Sequence, residues 1–235
     1  MIENLKFPYT AEEFKKKMKK TFHVSIEGGD GSGKKTQADR LRKYFEEKGL
    51  NVLLISFPCY EEESSLLAKA YLTGKFGDDN PKVASVCFAT DRFIYFQKHK
   101  EEIENADVVI YDRYILSNII HQSRYLEDEE REAFIKWVLD LEYGVFNLPK
   151  EDISIFLNMP PECSLKLING RAQKGVSGDI LENEKEVFSA WKNAMKVVEE
   201  LGMEKVDCAK DGKIKDIETI FQEVCELINS KIERG

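Results

Sequence analysis

Cysteine, long apolar runs and excess positive charge are what this 235-residue chain has least of, and each shortage removes a class of explanation. The five cysteines (Cys59, Cys87, Cys163, Cys208 and Cys225) are odd in number, scattered and without a C-x-x-C pair, so neither a disulfide framework nor a zinc site is expected. No apolar stretch approaches the about 18 residues of a membrane-crossing helix, and no leader pattern opens the chain. A soluble cytoplasmic protein with reduced thiols is therefore the expectation. Basic residues number 35 against 43 acidic ones, and the net charge of −8 argues against a general nucleic-acid surface. Local cations and backbone dipoles can still make a phosphate site in an acidic protein. An Asn-Lys-x-Asp run that would read guanine is missing, which counts against a GTPase. Nor is there an internal repeat, low-complexity segment or linker, so residues 21–235 are expected to form one domain behind an N-terminal extension over 1–20. That extension carries Lys15, Lys16, Lys17, Lys19 and Lys20; a solvated appendage is the favoured reading and a short basic helix the alternative.

Against these absences stands one dense stretch, Val24-Ser25-Ile26-Glu27-Gly28-Gly29-Asp30-Gly31-Ser32-Gly33-Lys34-Lys35-Thr36-Gln37. A β-branched apolar run enters a glycine-rich loop, and Leu41, Tyr44 and Phe45 follow at helical spacing. Strand, phosphate loop and helix is the reading. Gly28 and Gly33 bracket the four residues that the G-x-x-x-x-G-K-S/T pattern requires, so that backbone N–H groups over 28–36 and a helix N-terminus converge on an anion while Lys34 reaches the terminal phosphates. One position departs from the pattern. Lys35 stands where a hydroxyl normally meets Mg²⁺, and the hydroxyl comes one residue later at Thr36.

Four more strands are expected, over 51–57, 106–111, 152–158 and 203–208, with helical patterns between them. Strands that are apolar on both faces and alternate with helices mean a parallel sheet covered on both sides, with ligands at the carboxyl ends of the strands. The third strand ends there in Asp112-Arg113-Tyr114. Asp112 is a candidate to hold Mg²⁺, and Arg113, standing where ATPases often place Glu, suits a substrate phosphate, which favours a kinase over a hydrolase.

Two helical faces supply a second pocket. Phe88 and Arg92 lie at i, i+4, so that one can lie against a base while the other reaches a phosphate. Asn118, His121 and Gln122 lie at i, i+3, i+4 and present an amide, an imidazole and an amide, a face able to read the edge of a base. Farther on, Arg171 and Lys174 stand in a polar, glycine-containing stretch suited to a lid over about 171–180 that brings Arg171 to the transferring phosphoryl group.

In order and spacing these stretches resemble the thymidylate kinase family from Phe22 to about Ile228. The matching residues are Glu27 to Lys34, Phe57-Pro58, Phe88-Ala89-Thr90-Asp91-Arg92, Asp112-Arg113-Tyr114 with Ser117, Leu157 to Pro161, and Arg171 with Asp179 and Glu182. The resemblance implies a three-layer α/β/α P-loop kinase fold with a five-stranded parallel sheet in order 2-3-1-4-5. It also implies a homodimer and transfer of the ATP γ-phosphoryl group to dTMP. Stacking on thymine falls to Phe88, the base or phosphate to Arg92, the dTMP phosphate to Arg113, the base edge to Asn118 and Gln122, and further substrate contacts to Phe57, Tyr60 and His121. Asp30, Lys34, Arg113 and Arg171 are the expected catalytic group. Three positions depart from the family pattern. Lys35 shifts the Mg²⁺ load to Asp30, Asp112 and Glu182; Cys59 stands where the family often has arginine; and Gly31 leaves the catalytic cation to Arg171 and Lys174. The alternative readings are a kinase for another nucleoside monophosphate or a deoxynucleoside, and a nucleotide-binding regulatory protein without turnover.

Overall fold

The computed structural model of the chain describes residues 7–77, 80–172 and 184–234, with the backbone alone at 171 and 172. In chain order the first half runs α1 (Ala11–Met18), β1 (Phe22–Gly28), α2 (Lys34–Glu46), β2 (Val52–Ser56), α3 (Leu66–Leu72), α4 (Pro81–Lys98), α5 (Lys100–Glu104) and β3 (Val108–Asp112). The second half runs α6 (Ile115–Gln122), α7 (Asp128–Leu139), a π-helical turn (Asp140–Val145), β4 (Ile153–Asn158), α8 (Pro161–Ala172), α9 (Glu184–Glu200) and β5 (Glu204–Asp207). A small hairpin, β6 (Ala209–Lys210) and β7 (Lys213–Ile214), leads into α10 (Ile217–Arg234).

The five main strands are parallel and stand in the order 2-3-1-4-5 that the resemblance implies. Central β1 is buried along its whole length, as a strand with neighbours on both edges and helices on both faces must be. On one face α1, α2 and α10 cover Val24, Ile26, Val108, Ile110 and Ile155, while on the other α4, α6, α7 and α9 cover Val109, Tyr111 and Phe156. Registration aligns the strand ends: Ile26 and Ser56 both pair with Asp112, and Gly28 pairs with Leu157. The residues after β1, β2 and β3 therefore emerge side by side on one edge. No helix among the described residues is long and apolar enough to cross a membrane.

Over its described residues, 7–20, the N-terminal extension is not the solvated appendage that its lysines suggest but holds the short helix given as the alternative. Thr10 and Glu13 form a reciprocal capping box, with Thr10 Oγ1 accepting from the Glu13 amide at 3.2 Å and Glu13 Oε2 accepting from the Thr10 amide at 2.8 Å. Helix α1 follows and buries Phe14 to 1% exposure against Phe22 and Phe45, and Phe7 packs on Tyr44 and Phe45. Charge placed the lysines on the solvated side of α1, but the single ring on its other side decides where the helix sits. Phe14→Ala is expected to cost about 3–5 kcal/mol of stability, the range for a buried Phe truncated to Ala, measured by urea denaturation. A loss below about 1 kcal/mol would return the extension to solvent.

Candidate active site

The loop after β1 is shaped by backbone requirements. A Cβ on Gly28 would lie 2.6 Å from Ser32 Oγ and 3.0 Å from the Leu157 carbonyl oxygen, so only glycine fits where the loop turns back on the sheet. Gly33 caps α2 at φ 90, a left-handed conformation, and offers no side chain to the first-turn amides of the helix. Those donors remain open to an anion. Lys34, the first residue of α2, folds back so that Nζ donates to the Gly29 carbonyl at 2.7 Å. Burial, with Arg113 adding to it, pulls the Lys34 ammonium down to about 7. Lys35 turns the other way: its side chain is 81% exposed, with Nζ 4.0 Å from Asp39, and Thr36 is exposed as well. Neither side chain replaces the missing hydroxyl inside the loop. What 35 offers an anion is its backbone.

At the end of β3, Arg113 takes a left-handed backbone (φ 68), and its amide donates to the Ile26 carbonyl at 3.2 Å. Its guanidinium pairs with Asp30 of the loop and donates to His121 Nε2 at 2.8 Å and Ser117 Oγ at 3.4 Å. Burial and then Arg113 push the His121 imidazole down to about 3, so this ring is neutral and its Nε2 is the acceptor. His121 Nε2 is thus committed to Arg113, a second use of this side chain that its place on the helix face does not announce. Burial opposes the charge of Asp30, yet Arg113 and Lys34 hold its carboxyl down at about 2. Asp112 moves the other way, raised by burial against the pull of Lys34 and Arg113.

Sequence reasoning missed Glu27 as a positioning group. Fully buried at the end of β1, its carboxylate accepts from the Tyr114 amide at 2.8 Å and from Ser117 Oγ at 2.5 Å, tying the sheet to the start of α6. Its place in the strand just before the glycines was the available signal.

Beside the loop lies a cavity of about 360 Å³. It is lined by Phe57, Pro58 and Tyr60 after β2, Tyr71 and Leu72 of α3, Phe88 and Arg92 of α4, and Ser117, Asn118, His121 and Gln122 of α6. Asp30 and Arg113 line it too, so it adjoins the phosphate loop, and Arg124 and Tyr125 complete the wall. The structure thus gathers Phe57, Tyr60, Phe88, Arg92, Arg113, Asn118, His121 and Gln122 around one space. Phe88 meets the edge of Tyr71 at 6.0 Å. Arg92 is nearly fully buried and binds Glu142 through two nitrogens, at 2.5 and 2.6 Å. Burial works against the Arg92 charge, but the Glu142 carboxylate outweighs it and raises the pKa. Asn118 Nδ2 donates to Glu142 Oε1 at 3.1 Å and to the Ser85 carbonyl at 3.2 Å, while its Oδ1 is buried with no partner. Glu142 was invisible to motif reading, being 24 and 50 residues away from its partners. Cys59 does not line the cavity: its amide donates to Asp91 at 2.9 Å and its thiol faces the Ser56 carbonyl at 3.0 Å.

Of the expected lid, Arg171 is the penultimate residue of α8, and its side chain, with Lys174, Asp179 and Glu182, lies outside the described residues. Among the described residues no group of three or more His, Cys, Asp and Glu side chains is arranged to hold a metal. Asp30 and Asp112 nevertheless offer the hard oxygen donors that suit a magnesium ion arriving with a nucleotide, which needs only one or two protein carboxylates.

A glycine loop and open helix N-terminus at the carboxyl edge of a 2-3-1-4-5 parallel sheet, with an arginine joining it to an aromatic cavity, define a P-loop kinase. The family model for thymidylate kinase matches residues 26–218. A probable thymidylate kinase of Thermococcus gammatolerans is 31% identical over 220 residues, covering 90% of this chain and 98% of that protein. The thymidylate kinase of Mycobacterium tuberculosis strain H37Rv is 31% identical over 154 residues, covering 64% and 72%. The solved structure of the Candida albicans thymidylate kinase superposes with a TM-score of 0.67 at 23% identity, covering 91% of this chain and 94% of that one. The chain belongs to the thymidylate kinase family.

Lys34 stands near half protonation at pH 7 in the free protein and should regain its proton when an anion enters the loop. Calorimetry of ADP binding at pH 7 in buffers of different ionisation enthalpy is expected to show uptake of up to about half a proton more than in Lys34→Arg, whose guanidinium stays charged. Equal uptake in the two proteins would remove Lys34 from the neighbourhood of the anion.

Proposed function

We propose that this protein transfers the γ-phosphoryl group of ATP to the phosphate of dTMP, giving dTDP and ADP. The observation that carries this reading is the Asn118 amide. Its nitrogen is committed to Glu142 and Ser85, its oxygen is left as a buried acceptor without a donor, and the residue lines a cavity that adjoins the phosphate loop. A thymine ring supplies the missing donor at N3–H. Phe88 lies against the face of the ring, Gln122 serves its edge, Phe57 and Tyr60 wall the pocket, and Arg113 grips the acceptor phosphate.

A phosphate monoester has a second pKa near about 6, so its attacking oxygen is ionised at neutral pH and the protein needs no general base. A bond forms from that oxygen to the γ-phosphorus as the bond to the β-bridging oxygen breaks. The chain's part is positioning and charge neutralisation: loop amides and Lys34 hold the donor, Arg113 the acceptor, and Arg171 comes from the lid. Asp30 and Asp112 would hold Mg²⁺, joined by Glu182; bound there, the ion neutralises phosphate charge. Five free thiols, four of them buried, and the use of ATP support a cytoplasmic setting.

The homodimer reading is supported by an apolar stripe. Val83, Val86 and Ile94 share the exposed face of α4, and Leu66 and Leu67 stand exposed on the adjoining α3. Sedimentation should give about twice the 27.1 kDa chain mass, and Val86→Glu about one chain mass. A monomeric wild-type protein at micromolar concentration would end that reading.

A coupled assay with Mg-ATP over dTMP, dUMP, UMP, CMP, AMP and GMP tests the reaction itself, with the highest kcat/KM expected for dTMP. Turnover of another acceptor with none of dTMP would overturn it. Phe88→Ala should weaken dTMP binding by about 1–3 kcal/mol, as for other base-stacking aromatics. A change confined to the KM for ATP would take Phe88 out of the acceptor site.

A further inference from the structure

Glu142, like Glu27, is a fully buried carboxylate beside the cavity, and it does not line the cavity. It sits in the π-helical turn after α7, a wider winding of the kind often kept at functional sites. Fully desolvating a carboxylate is costly, and here the cost is offset by Arg92 through two hydrogen bonds and by Asn118 through one. The bond to Asn118 carries chemical information that the bonds to Arg92 do not.

A primary amide has two ends of almost the same shape and opposite polarity, one accepting and one donating. Rotated by half a turn, Asn118 would fill the same space and present N–H where it had presented oxygen. Pyrimidines differ in the same way. Thymine offers N3–H as a donor beside an O4 acceptor, and cytosine offers an N3 acceptor beside an N4 donor. An asparagine free to rotate would serve both. Asn118 is not free, because its nitrogen faces two acceptors, the Ser85 carbonyl at 3.2 Å and Glu142 Oε1 at 3.1 Å. Rotation would set the amide oxygen against a carbonyl and a carboxylate in the protein interior, where unpaired acceptors are most costly. The Ser85 carbonyl is neutral backbone; Glu142 supplies the full charge. Arg92 in turn fixes Glu142, since a carboxylate gripped at both oxygens cannot turn away from Asn118.

We infer that Glu142 is a specificity-positioning residue: through Asn118 it commits the pocket to bases that donate at N3, thymine and uracil, and against cytosine. This rests on reading the cavity as the dTMP site. Rejection then comes from buried polar groups left mismatched, the strong form of discrimination between ligands of equal size.

The test is the ratio of kcat/KM for dTMP to that for dCMP. The wild-type protein is expected to favour dTMP by at least about 100-fold. In Glu142→Gln the neutral side chain can present either end of its own amide, Asn118 can turn, and the ratio should fall by about tenfold or more. Arg92→Met with Glu142→Leu removes the ion pair as a unit and keeps the interior filled, which protects the fold if the single change unfolds it. The same fall is expected there, with folding checked by circular dichroism. A purely structural role would lower kcat/KM for both acceptors together; an unchanged ratio in a folded variant overturns the inference. A measurement on the wild-type protein needs no variant: the side-chain NH₂ protons of Asn118 should be protected from exchange before dTMP is added as well as after. Protection that arises only with dTMP overturns it equally. If the wild-type protein does not phosphorylate dTMP at all, the proposed function fails first and is distinguished by that result.

Discussion

The guanidinium of Arg113 is the joint on which both halves of the site depend. It touches the phosphate loop at Asp30 and helix α6 at Ser117 and His121, and it stands at the end of the strand adjacent to β1. To reach all of these from the end of β3, residue 113 adopts a left-handed backbone, a cost on the order of 1 kcal/mol for a residue with a Cβ. The surrounding network is built to hold it. Glu27 accepts from the Tyr114 amide and Ser117, so the first turn of α6 is fixed to β1, and His121 is kept neutral and therefore an acceptor. Remove any of these and the arginine has a choice of positions; with all of them, the loop and the cavity share one wall.

The fold was readable because its physics is local. Strands apolar on both faces, separated by helical spacings, admit few solutions other than a covered parallel sheet, and every expected strand is present within a residue or two of its expected ends. The glycine loop was readable for the same reason, since its backbone demands are met by adjacent residues. The N-terminal extension was misread because five lysines dominate its composition, whereas its position is set by Phe14 and Phe7 meeting Phe22, Tyr44 and Phe45. Nothing in a helix of that composition announces which ring will find a socket.

The cavity was half legible. Phe88 and Arg92, and Asn118 with Gln122, were found from helical spacing, because side chains one turn apart must share a face. What each polar group does there was not. His121, expected from its spacing at the base edge, also supports Arg113; Glu142, which settles the direction of the Asn118 amide, lies in a turn with no motif around it. Hydrogen-bond direction inside a protein depends on partners brought together by the whole fold. Spacing along one helix cannot supply it.

Arg92 and Arg113 show why burial, rather than residue type, assigns such roles. Sequence left the acceptor phosphate to either of them. The Arg92–Glu142 pair has side-chain exposures of 3% and 0%, whereas Arg113 and Asp30 stand at 22% and 48%. Breaking a buried pair strands a charge in the interior at a cost of about 3–5 kcal/mol, while a partly exposed pair leaves its charges within reach of water and costs less to break. A phosphate entering the cavity can therefore compete with Asp30 for Arg113 but not with Glu142 for Arg92. On the proposed reading the buried pair shapes the end of the cavity that meets the base, and the exchangeable one meets the phosphate beside the loop. On that reading a chain with a net charge of −8 can bind two polyanions, because its acidic residues neutralise one arginine permanently and would release the other to an arriving phosphate.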